Sequence, residues 1–187
     1  MNTILRFALL LGIFFSLPTI AEEKKKLTYE DKDLYVRVFL RSPEQITAFY
    51  QGREFKQQAV DQITDTCNVT VIIKNKTLDV LWLELDNWQF SQNQQPIHRY
   101  KRDYWAKQWD EIQLKQAHRS TFGWTLMPEV RDLRTDEGVG GSLYIPKQSG
   151  KFSLTLNFNT GSNKQGKKRS VNFNHLFCRK NTDVESE

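Results

Sequence analysis

The fold is indicated most directly by residues 67–74, which read CNVTVIIK. Cys67 and every second residue after it are apolar as far as Ile73, and polar side chains occupy most of the positions between them. Because successive side chains of a β-strand point to opposite faces of a sheet, this alternation predicts a strand with one buried face. We therefore expect a half-buried strand that begins at Cys67.

The same period of two recurs along the chain. It is cleanest at residues 152–158, where apolar and polar side chains alternate without interruption. Further strands are predicted at residues 34–39, 78–85, 122–126, 139–145 and 171–178, the last with a bulge near Asn174. Residues 78–85 are apolar on both faces, which predicts a central strand covered on two sides.

The stretch after the first predicted strand indicates helices. Ser42 is a favourable N-cap, Pro43 suits the first helical position, and Gln45 completes a capping box. Gly52 is predicted to end this helix in the left-handed conformation. Apolar residues at helical spacing predict a second short helix over residues 55–63.

These elements predict a mainly β fold, namely an immunoglobulin-like antiparallel β-sandwich with two or three short helical insertions. Trp82 and Trp124 are expected inside the sandwich. Residues 34–187 contain no internal repeat and are predicted to form a single domain. The layout of residues 121–158 loosely resembles the latter half of immunoglobulin-like domains in exported bacterial proteins, and the resemblance implies no functional residue.

Residues 1–21 are predicted to be an export signal. Arg6 precedes an apolar run over residues 7–17, and Thr19 and Ala21 supply small side chains before a cleavage site. A membrane-spanning helix needs about 20 apolar residues, so this run is too short to span. The sequence therefore predicts a periplasmic or secreted protein with no transmembrane segment after cleavage.

The composition narrows the class of the mature protein. The chain of 187 residues has 12% aromatic residues, too many for a disordered chain. Loss of residues 1–21 lowers the net charge from +5 to +4, which is too little for a nucleic-acid binder. Residues 22–33 are charged and are predicted to be a flexible leader or an edge strand.

Cys67 and Cys178 are the two cysteines of the chain. In an oxidising compartment they can pair in one way only, and no CxxC motif indicates redox or metal chemistry. We therefore predict a structural disulfide. By the loop-closure model a bridge around a loop of this length stabilises the fold by about 4–5 kcal/mol.

Familiar catalytic motifs are absent from the sequence. The segment 140–144 reads GGSLY and lacks the last glycine of a nucleophile elbow. His98, His118 and His175 are far apart and predict no metal site, and nothing predicts a cofactor. Glu84 and Asp86 would share one face of a strand at roughly 7 Å, so a hydrolase that uses them is one alternative.

Aromatic and basic residues concentrate between residues 88 and 109. The candidate binding residues are Trp88, Arg99, Tyr100, Arg102, Tyr104, Trp105 and Trp109. Trp105 and Trp109 also have helical spacing, so a helix over residues 100–116 that packs on the sandwich is the structural alternative. We expect a non-enzymatic binding or structural protein of the cell envelope, with an envelope protein as partner. A glycan or polyanion bound by residues 98–109 is the other alternative.

Overall fold

The computed structural model describes residues 27–180, which form a mainly β structure with antiparallel sheets and four α-helices. The strands are β1 (Thr28–Glu30), β2 (Leu34–Arg41), β3 (Thr66–Asn75), β4 (Leu81–Glu84), β5 (Gln89–Gln92), β6 (Gln95–Ile97), β7 (Val130–Leu133), β8 (Gly138–Pro146), β9 (Phe152–Thr160) and β10 (Arg169–Leu176). The helices are α1 (Pro43–Gln51), α2 (Gln57–Thr64), α3 (Arg102–Glu111) and α4 (Gln116–Thr125).

The predicted export signal, residues 1–21, lies outside the described residues. Within residues 27–180, no helix has both the length and the apolar character needed to cross a membrane. The described part of residues 22–33 contains β1, which pairs antiparallel with β2 and forms the edge of its sheet.

The strands form two sheets. The first sheet has the order β1-β2-β3-β8, and β3 pairs antiparallel with both of its neighbours along nearly its whole length. The second sheet has the order β6-β5-β9-β4-β7, and β10 pairs with the other edge of β9. The register of the β9–β10 pair shifts between Phe173 and Leu176, which confirms the predicted bulge.

The main hydrophobic core lies between the inner faces of the two sheets. In β3 the inward residues are the four predicted ones, and each is fully or almost fully buried: Cys67, Val69, Val71 and Ile73. The alternating residues of β9 complete the core from the other side: Phe152, Leu154, Leu156 and Phe158. The predicted disulfide is present and joins Cys67 of β3 to Cys178, two residues after β10. It therefore connects the first sheet to the second.

A second hydrophobic core lies on the outer face of the first sheet, beneath the helices. Its largest side chains are Tyr50 of α1, Trp105 and Trp109 of α3, Phe122 of α4 and Tyr144 of β8. The rings pack edge-to-face and stacked, with centroids 4.8 Å apart for Trp105 and Phe122. The molecule thus has three layers, and the first sheet is the middle one.

The predicted start of α1 is confirmed. Ser42 accepts a hydrogen bond from the backbone of Gln45, and the Gln45 side chain accepts one from the backbone of Ser42. The predicted left-handed stop at Gly52 is wrong, because Gly52 has right-handed helical angles with φ −61°. The left-handed position falls two residues later, at Glu54 with φ 60°. The second predicted helix is present as α2.

The strand predicted over residues 122–126 is wrong, because these residues belong to the end of α4 and its exit. A short apolar run does not distinguish strand from helix by period alone, and tertiary packing decides. Phe122 packs against Trp109 at 5.0 Å, whereas Trp124 is 83% exposed. The expectation that Trp124 lies inside the sandwich is therefore wrong as well.

The strand predicted over residues 78–85 is shorter than expected. Leu78 is 96% exposed, β4 begins at Leu81, and a 3₁₀ turn follows over Leu85–Asn87. The outer face of β4 is open enough that Trp82 is only half-buried, so the predicted cover on two sides is wrong. Val80 and Trp82 make the segment apolar, and the Trp82 ring is partly covered by Lys164, whose amino group lies 4.8 Å from the ring centre.

Three strands, β5, β6 and β7, lie outside the predicted ones. β5 and β6 form a hairpin whose turn places Asn93 and Gln94 at φ 50° and 65°. Such left-handed pairs fit the twist of a tight hairpin. β7 was also missed, because three of its four residues are exposed and no alternation is visible.

Candidate functional site

The tryptophans of the predicted aromatic–basic site are buried. Trp88 lies in the main core, with its ring 5.7 Å from that of Phe158. Trp105 and Trp109 lie in the second core and stack on each other at 5.2 Å. The i, i+4 spacing of these two residues therefore places them under α3, and none of the three rings is free to pack on a ligand.

The arginines of the same segment contact protein groups. Arg99 donates to both carboxylate oxygens of Glu129, at 2.9 Å for the first, and to Asp86 at 3.1 Å. Arg102 donates to the backbone carbonyl of Gly123 at 3.3 Å. Arg99 thus links the segment before α3 to the segment before β7 through hydrogen bonds.

Tyr100 and Tyr104 are the half-exposed part of the segment. Their rings stack at 4.1 Å with planes 17° apart. The backbone N–H of Tyr100 donates to the carbonyl of Tyr144, which ties this stack to the edge of β8. Tyr100 and His98 also line a shallow cavity of about 550 Å³ beside the β5–β6 hairpin. The structure thus separates the seven predicted residues into three buried tryptophans, two arginines bonded to protein groups, and a surface stack of two tyrosines.

Glu84 and Asp86 do not share a strand face, because Asp86 lies in the 3₁₀ turn after β4. Glu84 accepts from Lys164 at 2.6 Å. Asp86 accepts from Lys101 at 2.7 Å. Each carboxylate is therefore paired with a cation of its own.

These contacts decide the ionisation of the two groups. The hydrogen bond from Lys164 lowers the pKa of Glu84, and the hydrogen bond from Lys101 lowers the pKa of Asp86. Glycoside hydrolysis needs one carboxyl whose pKa is raised so that it can donate a proton. The contacts of Glu84 and Asp86 lower both pKa values instead.

The three histidines lie in different places. The ring of His118 packs against Phe55 at 4.7 Å, and its buried Nδ1 has no hydrogen-bond partner among the described residues. His175 lies in the bulge of β10 with φ 62°. In residues 27–180 no group of three or more His, Cys, Asp or Glu side chains is arranged to hold a metal ion.

A concave site that the sequence did not predict lies on the outer face of the first sheet. It is a cavity of about 410 Å³, bounded by α1, β3, β8 and the end of α4, and we call it the groove. The helices cover the Tyr144 end of this face and leave the part around Thr70, Ile72 and Gly140 open. The groove is therefore the border between the covered and uncovered parts of one sheet face.

Apolar side chains surround the mouth of the groove. Phe49 and Ile72 are each 39% exposed, and Trp124 is 83% exposed. These are three of the six large apolar side chains that are exposed in residues 27–180. Single exposed apolar residues are ordinary, but their convergence on one cavity is typical of a binding site.

Polar side chains form the floor of the groove. Hydroxyl and amide groups come from Tyr50, Asn68, Thr70, Thr125, Ser142 and Tyr144. Burial raises the pKa of Tyr50, and it raises the pKa of Tyr144 well above the usual value of a phenol. Both phenols are therefore neutral at physiological pH.

Gly141 lets the chain after α4 close one side of the groove. A Cβ atom at Gly141 would lie 2.4 Å from the backbone nitrogen of Met127. That nitrogen donates to the carbonyl of Ser142, and Leu126 forms a parallel bridge with the same residue. Any larger residue at Gly141 would push this segment, and with it Thr125, away from β8.

Arg41 is the charged residue among those that line the groove. Its guanidinium lies 5.4 Å from the centre of the Phe39 ring, and none of the ion pairs within residues 27–180 involves it. Among residues 27–180 no carboxylate lines the groove, so within this part of the chain the positive charge at its edge is not compensated. A ligand that is neutral or negatively charged fits this environment.

Two sequence features could have indicated the groove. The polar face of residues 67–74 carries Asn68 and Thr70, which were interpreted as a solvent-facing side. The adjacent aromatic residues Phe122 and Trp124 were interpreted as one strand face. In α4 they point to different sides, with Phe122 in the core and Trp124 at the mouth. The groove is formed by contacts between residues far apart in the chain, and the local periodicity of apolar residues does not predict such contacts.

No family model matches the chain, and no curated protein matches it. Some solved structures have a distantly similar fold. One is a "putative lipoprotein" (ycdA) from Bacillus subtilis subsp. subtilis str. 168, with a TM-score of 0.44 and 16% identity over 79% of this chain. This chain spans 38% of that protein.

Two further structures have lower TM-scores and identities. The yjhA protein from Bacillus subtilis has a TM-score of 0.40 and 13% identity, with 70% of this chain and 76% of that chain covered. A FixG-related protein from Vibrio parahaemolyticus has a TM-score of 0.33 and 12% identity, with 79% and 100% covered. At this level of similarity the three proteins assign neither a function nor a site to the chain.

Proposed function

We propose that this chain is an exported, non-enzymatic binding protein of the cell envelope, periplasmic or secreted, and that the groove is its ligand-binding site. The observation that carries the proposal is the convergence of Phe49, Ile72 and Trp124 around one polar-floored cavity. Exposed apolar side chains cost solubility, and a site of this size with a few oriented polar groups is typical of ligand binding.

The compartment is supported by the disulfide between Cys67 and Cys178. Disulfides persist in oxidising compartments and are rare in the cytosol. We also propose that the two sheets form an immunoglobulin-like sandwich. The inter-sheet bridge and the antiparallel pairing support this layout, and the helices on the outer face are an addition to it.

A binding role without catalysis is supported by the chemistry of the groove. The described residues that line it include no His, Cys, Asp or Glu, the residue types that most often act as base, acid or activated nucleophile. Ser142 lines the groove, but its hydroxyl pairs with Thr70 at 3.1 Å and not with a base. The lining is suited to hold a molecule and lacks the usual means to activate one.

The proposal is tested by the retention of the purified mature protein on isolated envelope fractions in a pelleting assay. We expect Trp124→Ala to lose most of the retention, because the indole contributes the largest exposed apolar surface at the mouth. Leu78→Ala is the matched control, since Leu78 is also exposed but lies in the turn before β4, outside the groove. Equal retention of both variants would rule out the groove as the binding site.

The stack of Tyr100 and Tyr104 is a second candidate surface for the same function. It is the half-exposed remainder of the aromatic–basic segment, and it lies next to the cavity lined by His98 and Arg99. Tyr104→Ala in the same assay distinguishes the two surfaces. Loss of retention with Tyr104→Ala and not with Trp124→Ala would identify this stack, and not the groove, as the binding surface.

A further inference from the structure

We propose that the groove binds a sugar that carries a carboxylate. This inference rests on the proposed function and specifies the ligand of that site. Three features of the groove carry it: an aromatic face that is free at the mouth, a floor whose hydroxyl protons are already used, and an arginine without a carboxylate partner.

The aromatic face belongs to Trp124. Phe49, which also lines the mouth, has one ring face occupied, because the Arg53 guanidinium lies over it at 3.6 Å. Trp124 is 83% exposed and no described ring or cation stacks on it. A flat, electron-rich indole face packs well against the C–H face of a sugar ring, while the sugar hydroxyls point away toward polar groups.

The first hydroxyl chain on the floor runs in one direction. Thr125 donates its proton to the carbonyl of Phe122 at 2.7 Å. The Tyr50 hydroxyl, 3.0 Å from the Thr125 oxygen, must therefore be the donor to it. By the same reasoning Tyr144 donates to Tyr50 at 3.2 Å. All three protons are used within the protein, and Tyr50 and Tyr144 are buried, so the acceptor of this chain that a ligand can reach is the half-buried Thr125 oxygen.

The second chain on the floor leads to the same result. Thr70 donates to the Asn68 side-chain oxygen at 3.1 Å, so the contact of 3.1 Å between Ser142 and Thr70 has Ser142 as its donor. The Asn68 side chain is buried and also hydrogen-bonds the Tyr144 hydroxyl, so the acceptors left at this end are the half-buried Thr70 and Ser142 oxygens. A ligand rich in hydroxyl groups supplies the protons that the lone pairs accept, whereas an apolar side chain would leave them unmatched.

The charge of the ligand follows from Arg41. In the β2–β3 register Arg41 is directly opposite Asn68, so both side chains belong to the outer face of the first sheet. Arg37 lies on the same face, with its guanidinium 4.3 Å from the centre of the Phe39 ring. At the far end of this face, Lys74 is neutralised by Asp136 at 3.0 Å.

The uncompensated positive charge is therefore at the groove end of the sheet face. A guanidinium presents two parallel N–H groups that match the two oxygens of a carboxylate. An acidic peptide would also satisfy Arg41, but it has few hydroxyl groups for the floor. The combination of floor and charge therefore favours an acidic sugar.

The test measures binding of the mature chain to paired sugars by isothermal titration calorimetry. The pairs are N-acetylmuramic acid with N-acetylglucosamine, and a galacturonic acid trimer with a galactose trimer. A glutamate oligomer supplies negative charge without a sugar. We expect the acidic member of a pair to bind about tenfold more tightly than the neutral member at low salt, and added salt to reduce the difference.

Two variants assign the effect to the groove. Arg41→Gln is expected to remove the preference for the acidic sugar and to leave the neutral sugar unchanged. Trp124→Ala is expected to weaken both by about tenfold. Arg131→Gln, on the exposed side of β7 in the second sheet, is the control for a lost arginine and should change nothing.

The outcomes separate this inference from the proposed function. Equal binding within each pair, no binding of either sugar, or preferred binding of the glutamate oligomer would overturn the acidic sugar. If envelope retention still depends on Trp124 in that case, the groove remains the binding site for another class of ligand. If retention does not depend on Trp124, both proposals are contradicted: the acidic sugar as ligand and the groove as binding site.

Discussion

The two faces of the first sheet are built from the same strands and differ in nearly every respect. The inner face of β3 presents Cys67, Val69, Val71 and Ile73, all of them buried in the main core. The outer face of the same strand presents Asn68, Thr70 and Ile72, which line the groove. The inner face is apolar and buried, and the outer face combines hydroxyl groups with exposed apolar side chains.

This difference indicates that the two faces of β3 have different roles. The residues that hold the two sheets together alternate with the residues that are available to a ligand. Because neighbouring residues point to opposite sides, substitutions one position apart should affect different properties. Stability should respond to the inner positions and binding to the outer ones.

The largest effect is expected from the disulfide on the inner face. Replacement of both Cys67 and Cys178 by Ala should lower the free energy of unfolding by about 4–5 kcal/mol, because the bridge closes a long loop between the two sheets. Urea unfolding followed by circular dichroism measures this. Wild-type protein under reducing conditions should match the variant, and a loss below about 1 kcal/mol would contradict the assignment of the bridge as a structural tie.

The next effect compares two isoleucines that are adjacent in β3. Ile73→Ala should lower the free energy of unfolding by about 3 kcal/mol, because it leaves a cavity between the sheets. Ile72→Ala should change it by less than about 1 kcal/mol, because Ile72 is 39% exposed at the groove. The two variants change the same residue type in the same strand, so they differ in the face of the sheet that is altered. Equal losses in the free energy of unfolding would contradict the proposed difference between the inner and outer faces.

A smaller effect is expected from pH, because the inner face has no titratable groups while the sheet ends do. Burial alone would raise the pKa of Asp31, but hydrogen bonds from Tyr29, two backbone N–H groups and Arg169 lower it to about 2 from 3.8. The folded state favours the ionised carboxylate, so its contribution is complete above pH 3.8 and is lost as pH falls toward 2. Arg169 begins β10, and this contact therefore links the ends of the two sheets.

The measurement is urea unfolding at pH 6 and at pH 2 for the wild type and for Asp31→Asn. The free energy of unfolding of the wild type should fall between pH 6 and pH 2. The Asp31 side chain is 31% exposed, and with allowance for solvent screening we expect this fall to be about 1 kcal/mol smaller in the variant. Asp132→Asn, on β7, is the control. An acid loss in Asp31→Asn as large as that of the wild type would show that this carboxylate does not link the sheets energetically.

The sequence was sufficient for the inner face and insufficient for the outer one. Alternation placed Cys67 and Ile73 correctly, because burial between two sheets is a property of each strand by itself. The outer face is decided by which helices cover it, and this depends on contacts between segments far apart in the chain. Phe122 joins the second core through Trp105, some seventeen positions away, and that packing turns the predicted strand into α4.

The candidate site was misplaced for the same reason. Trp105 and Trp109 were candidates because aromatic residues beside cations suit binding, and the same spacing buries them under α3. Trp124 was expected in the core, and it is the most exposed ring at the groove. Composition identified aromatic residues as important, but only the fold distinguishes those that support the structure from those that face a ligand.

The smallest effect on stability and a large effect on binding are expected from the same substitution, Trp124→Ala. An 83% exposed side chain contributes little to the folded state, so the free energy of unfolding should change by less than about 0.5 kcal/mol. Urea unfolding measures this beside the envelope-retention assay, with Trp105→Ala as the buried counterpart that should lose about 3–5 kcal/mol. If Trp124→Ala were strongly destabilised, Trp124 would be a packing residue, and its loss of retention would no longer distinguish the outer face as the binding face.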